Sequence, residues 1–248
     1  MRVFGLLGYP LGHSFSGAFF MEKFSKEGHS AIYRNYELQS LSGLSTLISS
    51  NPDLEGLNVT IPYKTGVMEY LDDMDPFARD IGAVNVIRIT RNEKGFSLKG
   101  YNTDIIGFKK SVSTILKSDI RSSLILGTGG SSLAVQKGLD LLGISYKTVS
   151  RSKEAGNYQY SDLSKDLIDS CSLIINTTPL GMFPEIEGYP DIPYDLLTKN
   201  HILFDLVYNP ELTRFLAIGK EKGCIIKGGL EMLHIQAEEA WSIWNPED

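Results

Sequence analysis

The sequence predicts an α/β protein of two domains with parallel strands. Short apolar runs alternate with helical patterns throughout its 248 residues, the order that parallel sheets with crossover helices require. One strand–turn–helix unit is also explicit. Ser122-Ser123-Leu124-Ile125-Leu126 reads as a buried strand, Gly127-Thr128-Gly129-Gly130-Ser131-Ser132 as a glycine-rich turn, and 133–142 as a helix. Glycine lets such a turn bend tightly and approach a pyrophosphate, while the helix N-terminus offers free N–H groups and a positive dipole end.

Residue by residue, strands are expected near 3–7, 31–37, 56–59, 85–90 and 96–100. The last two flank Arg91-Asn92-Glu93-Lys94-Gly95, a polar hairpin loop that ends in glycine. Helices are expected over 15–25, 41–49 and 64–70, and from Asp104 to about Leu116 as a bridge onward. Further strands fall near Leu124, Thr148, 173–176, 203–205 and 224–227. Leu230, Leu233, Ala237, Trp241 and Trp244 share one stripe of a C-terminal helix preceded by Gly228-Gly229. The division expected is a substrate domain over 1–104, with helix 229–248 packing back on it, and a Rossmann-like domain over 105–228. A cleft is expected between them.

The strand near Thr148 delivers Ser150-Arg151-Ser152 roughly 20 residues beyond the glycine turn, where a dinucleotide fold often places an acid. An acid there suits the ribose diol of NAD. Arg151 favours the 2′-phosphate of NADP, which its planar fork of donors can grip. The third motif position is Ser132 rather than Gly, so a β-turn-α connection using glycine for geometry alone also fits the motif.

Composition narrows the function. With 42% hydrophobic and 22% charged residues and a net charge of −6, the chain has no basic footprint for nucleic acid. No apolar run approaches the roughly 18 residues of a membrane span, and residues 2–8 read as a first strand rather than a signal peptide. Cys171 and Cys224 sit beside apolar runs and read as reduced packing residues of a cytoplasmic protein. No Cys/His cluster suggests a metal.

Polar residues gather at expected strand ends. Ser14 and Ser16 open a helix, where hydroxyls suit a carboxylate or simply cap the helix. Asn58-Val59-Thr60-Ile61-Pro62-Tyr63-Lys64 follows the third strand, so Thr60 and Lys64 fall at the C-terminal edge where open α/β sheets bind ligands. Asn102-Thr103-Asp104 precedes a helix that Asp104 can cap.

Taken together, the Ser14/Ser16 pair, the 58–64 segment, Gly82-Ala83-Val84-Asn85, 100–104, Asn176-Thr177-Thr178-Pro179-Leu180-Gly181-Met182 and 228–236 resemble the shikimate dehydrogenase family. The match in order and spacing runs from about residue 5 to residue 237. The resemblance implies NADPH-linked reversible reduction of 3-dehydroshikimate to shikimate, a step of aromatic amino-acid biosynthesis. Lys64 and Asp104 match the family's pair at the reacting hydroxyl. By the same resemblance Ser14, Ser16 and Tyr208 would hold the substrate carboxylate. Asn58, Thr60, Asn85 and Gln236 would serve the ring hydroxyls. NADP would lie along Gly127, Thr128, Gly129, Gly130, Ser131, Ser150, Arg151, Ser152, Thr177, Thr178 and Met182, with Gly229 and Met232 near the nicotinamide. Reduction of a ketone leaves an alkoxide that needs a proton, and a lysine ammonium can stabilise that charge and donate the proton. A charge-only role for Lys64, with a relay through water, stays open.

The chain departs from the family pattern at several positions. Gly17 stands where many members have Pro, Thr128 replaces Ala in the glycine turn, and Ser150 replaces Asn before Arg151. The segment between Lys153 and Ser170 is compact. Two other readings fit these residues: a quinate/shikimate dehydrogenase with relaxed cofactor use, and a non-catalytic ligand-binding sensor. Lys64 and Asp104, both present, count against the sensor. The assembly expected is a monomer or homodimer.

Overall fold

A computed structural model describes all residues except 12–14, 94, 153, 247 and 248. The chain forms two compact units, Met1–Thr103 with Gln236–Asp248, and Asp104–Ile235.

The first unit runs β1 (Arg2–Gly8), α1 (Phe15–Glu27), β2 (Ala31–Glu37), α2 (Leu44–Ser49), β3 (Leu54–Val59), β4 (Asp73–Met74), α3 (Pro76–Ile81), β5 (Val86–Asn92) and β6 (Gly95–Tyr101). Its six-stranded sheet has the order β2-β1-β3-β5-β6-β4. β1 is parallel to both neighbours, whereas β5 is antiparallel to β3 and β6. Side chains of β1 alternate between two cores, as the pleat demands. Val3 and Leu7 join Leu44, Ile48, Leu57 and Val59 on one face. Phe4 and Leu6 join Phe20, Phe24, Tyr33 and Trp244 on the other.

Local chemistry sets the element ends. Asp75 caps α3 by accepting from the Phe77 N–H, Pro76 occupies its first turn, and Gly82 closes it at φ 73°. Several sequence expectations shift. The 41–49 segment is a 3₁₀ turn (Leu41–Gly43) followed by α2, because Gly43 interrupts the run. The 64–70 segment is a 3₁₀ turn over Gly66–Tyr70. The hairpin strands extend to Asn92 and from Gly95, which at φ +132° takes a conformation that side chains resist. The short strand β4 and helix α3 carried too little periodicity to be read in advance.

The second unit runs α4 (Asp104–Ser113), β7 (Ser122–Leu126), α5 (Gly130–Leu141), β8 (Ser145–Ser150), β9 (Tyr158–Gln159), α6 (Lys165–Asp169), β10 (Leu173–Asn176), β11 (Ile202–Asp205), α7 (Arg214–Glu221), β12 (Ile225–Lys227) and the start of α8 (Leu230–Trp244). Its sheet is wholly parallel, in the order β12-β11-β10-β7-β8-β9. This is the doubly wound order of a Rossmann fold, and it reverses between β7 and β10. β10 and β11 are buried along their whole length, as strands covered on both faces must be. Phe108, Val135, Leu139, Phe204 and Met232 fill one face, and Leu167, Ile168, Phe215 and Leu216 the other.

Helix α8 contributes to both units. Met232, near its start, is buried in the second unit's core, and Ala237, Ala240 and Trp244 in the first's. The Trp244 indole donates to the Ile87 carbonyl at 3.0 Å and lies against Gly56, where a Cβ would come within 2.2 Å of it.

Candidate functional site

In the first unit the polar residues converge where β3 ends beside the start of β5. Asn58 pairs with Val86 in register, and the Val59 N–H donates to the Asn85 carbonyl at 2.8 Å. The Thr60 N–H donates to the Leu7 carbonyl at 2.9 Å, which fixes Thr60 beside the end of β1. The Val84 N–H donates to the Lys64 carbonyl at 2.7 Å, so the Lys64 backbone lies against the 82–85 turn. Asn85 is buried, and its side chain both donates to Thr103 Oγ1 (3.0 Å) and accepts from the Thr103 N–H (2.7 Å). Asn102, also buried, donates to the Ala83 carbonyl at 2.9 Å. Asn58, Thr60, Lys64 and Asn85 are therefore held at one sheet edge by backbone bonds rather than by side-chain chance.

Ser16 is half-buried on α1, near enough to the Tyr33 hydroxyl to work against the upward push that burial gives that phenol. That hydroxyl donates to Asn58 Oδ1 at 2.7 Å. Ser14 lies outside the described residues. Gln236 is half-buried on α8, one residue before buried Ala237. Asp104 is buried at the first turn of α4, where the positive end of the helix dipole favours a carboxylate.

In the second unit the glycine turn leaves β7 at the point where strand order reverses. Gly127 sits at φ +106°, and a Cβ there would lie 2.8 Å from Thr177 Oγ1 and 2.9 Å from Thr178 Cγ2. Glycine is thus required twice over, by conformation and by close approach. Gly129, the N-cap of α5, differs. Its φ of −80° suits any residue, and a Cβ there would meet nothing within 4 Å. The fold does not need glycine at Gly129, but an anion approaching the N–H groups of Gly130 and Ser131 does. The turn therefore fits a dinucleotide pyrophosphate. Ser132 is fully buried, so a small side chain serves the helix–strand contact that the motif's third glycine usually provides. Thr128 is half-buried within the same turn.

Arg151 and Ser152 are exposed just beyond β8, and Ser150 is buried at its end. The Arg151 carbonyl accepts from Gln159 Nε2 at 3.2 Å, while Ser150 Oγ accepts from the Ser152 N–H at 3.3 Å. The backbone is fixed and the guanidinium left accessible. Burial pushes the neighbouring Tyr160 phenol up, and the positive charge of Arg151 works against that.

Thr177 follows β10 and donates from both N and Oγ1 to the Leu126 carbonyl, at 2.9 and 2.8 Å. Thr178 donates from N and Oγ1 to Asn176 Oδ1, at 3.0 and 2.6 Å. Met182 is exposed in the turn that follows. Gly229 is buried, its N–H donating to the Val207 carbonyl at 3.1 Å, and a Cβ there would come within 2.3 Å of the Leu206 carbonyl. Tyr208 is half-buried next to Val207.

Sequence reasoning assigned no role to the residues that organise these loops. Asp205 is fully buried at the end of β11. It accepts from Asn176 Nδ2 (3.0 Å), the Val207 N–H (3.0 Å) and Thr213 Oγ1 (2.6 Å). Burial pushes its carboxyl up to about 7, against the three hydrogen bonds. The available signal was an acid closing an apolar strand at the ligand-binding edge of the sheet. Among the described residues no group of His, Cys, Asp and Glu could hold a metal ion.

Comparison with known proteins shows the family and the fold. Residues 6–87 match the family described as the shikimate dehydrogenase substrate binding domain. The chain is 36% identical to the shikimate dehydrogenase (NADP(+)) of Halothermothrix orenii, over 98% of this chain and 90% of that one. It is similar to the crystal structure of shikimate 5-dehydrogenase from Thermus thermophilus in complex with NADP(H) and shikimate. That match has 28% identity and a TM-score of 0.84, and it covers 100% of this chain and 94% of the other. It is likewise similar to quinate dehydrogenase from Corynebacterium glutamicum in complex with NAD, with 26% identity and a TM-score of 0.86 over 99% and 94% of the two chains.

Proposed function

This chain belongs to the shikimate dehydrogenase family, and from that premise we propose that its Lys64 and Asp104 carry the NADP-linked interconversion of shikimate and 3-dehydroshikimate. The chain is an oxidoreductase of aromatic amino-acid biosynthesis. Substrate binding is assigned to the first unit through Ser14, Ser16, Asn58, Thr60, Asn85 and Gln236, with Tyr208 reaching the carboxylate. Cofactor binding is assigned to the second unit, through Gly127, Thr128, Gly129, Gly130, Ser131, Ser150, Arg151, Ser152, Thr177, Thr178, Met182, Gly229 and Met232.

When bound, NADPH supplies hydride chemistry at a ketone carbon. The residues of this chain supply the rest. Lys64 Nζ places a positive charge and a proton at the carbonyl oxygen, where negative charge develops. In the oxidative direction the same nitrogen takes the hydroxyl proton. Asp104 orients the ammonium. Hydroxyl and amide donors bind a small carboxylate without a guanidinium, so the net charge of −6 is no obstacle.

The observation that carries the cofactor assignment is Gly129, a glycine the fold does not need standing at the N-cap of α5. Arg151, accessible on a fixed backbone, supports NADP over NAD. The likeness to a quinate dehydrogenase holding NAD keeps a relaxed-specificity enzyme as the second reading. Both cysteines are buried and unpaired, which suits a cytoplasmic enzyme, and no described helix is long and apolar enough to cross a membrane. The assembly we propose is a monomer or homodimer.

The deciding experiment follows the absorbance of reduced nicotinamide with shikimate and quinate, each against NADP⁺ and NAD⁺. Turnover confined to shikimate with NADP⁺ supports the proposal. Comparable turnover with quinate or NAD⁺ moves the chain to the relaxed branch. NADP⁺ binding without turnover on any pair makes it a sensor.

A further inference from the structure

Tyr33 lies outside every residue set assigned above, yet its hydroxyl donates to one member of the substrate set, Asn58, and lies near another, Ser16. It is buried, 8% exposed, on β2. In register Tyr33 stands opposite Phe4, and Phe4 opposite Gly56, so all three face the same side of the sheet. Asn58, two residues beyond Gly56 on β3, shares that face. The Tyr33 ring stacks on Phe20 of α1, with centroids 4.8 Å apart and planes 10° apart. Ser16 lies four residues before Phe20, one helical turn away on the same face of α1. The ring therefore rests on one α1 residue while the hydroxyl lies near another.

The hydroxyl has one proton, and it goes to Asn58 Oδ1. With Oδ1 engaged, the other pole of the Asn58 side chain is the amide Nδ2, a donor.

We propose that Tyr33 is a positioning residue for substrate recognition: its hydroxyl holds Asn58 Oδ1 and so sets Asn58 as a donor toward a substrate hydroxyl oxygen. The inference rests on the substrate-site assignment made above and deepens it.

The test is Tyr33→Phe, which deletes the hydroxyl and keeps the ring stack. The KM for shikimate rises about tenfold, the scale of one neutral hydrogen bond. The KM for NADP⁺ stays within about twofold and kcat changes less than KM. In an Asn58→Ala background, Tyr33→Phe adds less than a further twofold, because the residue through which it acts is already gone. Phe20→Leu disturbs the same corner but keeps the hydroxyl; its thermal midpoint falls while the ratio of the two KM values holds. The proposal is overturned if Tyr33→Phe leaves the shikimate KM unchanged, raises both KM values together, or costs the same factor in both backgrounds. It is also overturned if Phe20→Leu reproduces the shikimate-specific rise, which marks a structural role. If Asn58→Ala alone leaves the shikimate KM unchanged, the substrate-site assignment itself fails.

Discussion

Asp205 and Asn176, register partners at the ends of β11 and β10, are joined by a 3.0 Å hydrogen bond with both side chains fully buried. Asn176 passes the constraint to Thr178, and Asp205 passes it through the Val207 N–H to the loop that carries Tyr208. One carboxyl thus ties two functional loops together. Burial raises it from 3.8 to about 7, so between those values the folded chain holds a proton that the unfolded chain has released. Folding stability from this group therefore falls as pH rises from about 4 to 7, and is flat above. Asp205→Asn removes the titrating group and mimics the uncharged acid: its Oδ1 can still accept from Asn176 Nδ2 and the Val207 N–H, and the Thr213 hydroxyl, which donates to Oδ2 in the wild type, can turn to accept from its Nδ2. Measured by urea unfolding, the variant gains on wild type across that window by an amount on the order of a few kcal/mol. A difference that does not vary with pH excludes this assignment.

The two glycines of the phosphate turn separate folding from binding. Gly127→Ala meets Thr177 and Thr178 at under 3 Å from an unfavourable φ, and should lose roughly 1–3 kcal/mol of stability. Gly129→Ala meets nothing, and its stability should stay within about 1 kcal/mol of wild type. Its KM for NADP⁺ should nevertheless rise at least about tenfold, since the methyl occupies the anion's approach to the α5 N-terminus. Thermal melts read one effect and steady-state kinetics the other. A Gly129→Ala enzyme with an unchanged cofactor KM removes the turn from the cofactor site.

Arg151→Ala tests the 2′-phosphate. The KM for NADPH should rise by about one to two orders of magnitude, the scale of a charge-assisted pair, while that for NADH stays nearly constant. Because the guanidinium is exposed, raising ionic strength should shrink the wild-type preference as well. Equal effects on both cofactors place Arg151 outside the phosphate contact.

Lys64→Ala removes the proposed proton carrier. Turnover should fall about 10²–10⁴-fold, the range of general acid–base catalysis, with the shikimate KM changed only a few-fold. Near wild-type turnover in a folded Lys64→Ala enzyme would refute its role at the reacting hydroxyl.

The strands and the site were not equally legible in the sequence. The 173–176 run announced β10 because a strand covered on both faces must be apolar throughout. Gly127 announced the phosphate turn because few residues other than glycine take positive φ there. The helix expected over 64–70 proved to be a short 3₁₀ turn, since a few residues carry no decisive period. Lys64, Asp104, Arg151 and the 58–60 segment stood out by residue type at strand ends, where α/β sheets bind ligands.

By itself, the sequence determined the α/β class, the wholly apolar strands, the glycine turn and the family, because each is written in residue types and in their order and spacing along the chain. Tertiary structure alone decided that Tyr33 meets Asn58, that Asp205 meets Asn176, and that Gly127 needs its glycine where Gly129 does not. Those pairs are brought together by strand register across 25 residues between Tyr33 and Asn58, and 29 between Asn176 and Asp205. A buried hydroxyl or carboxyl has no sequence signature apart from the partners that the fold delivers to it.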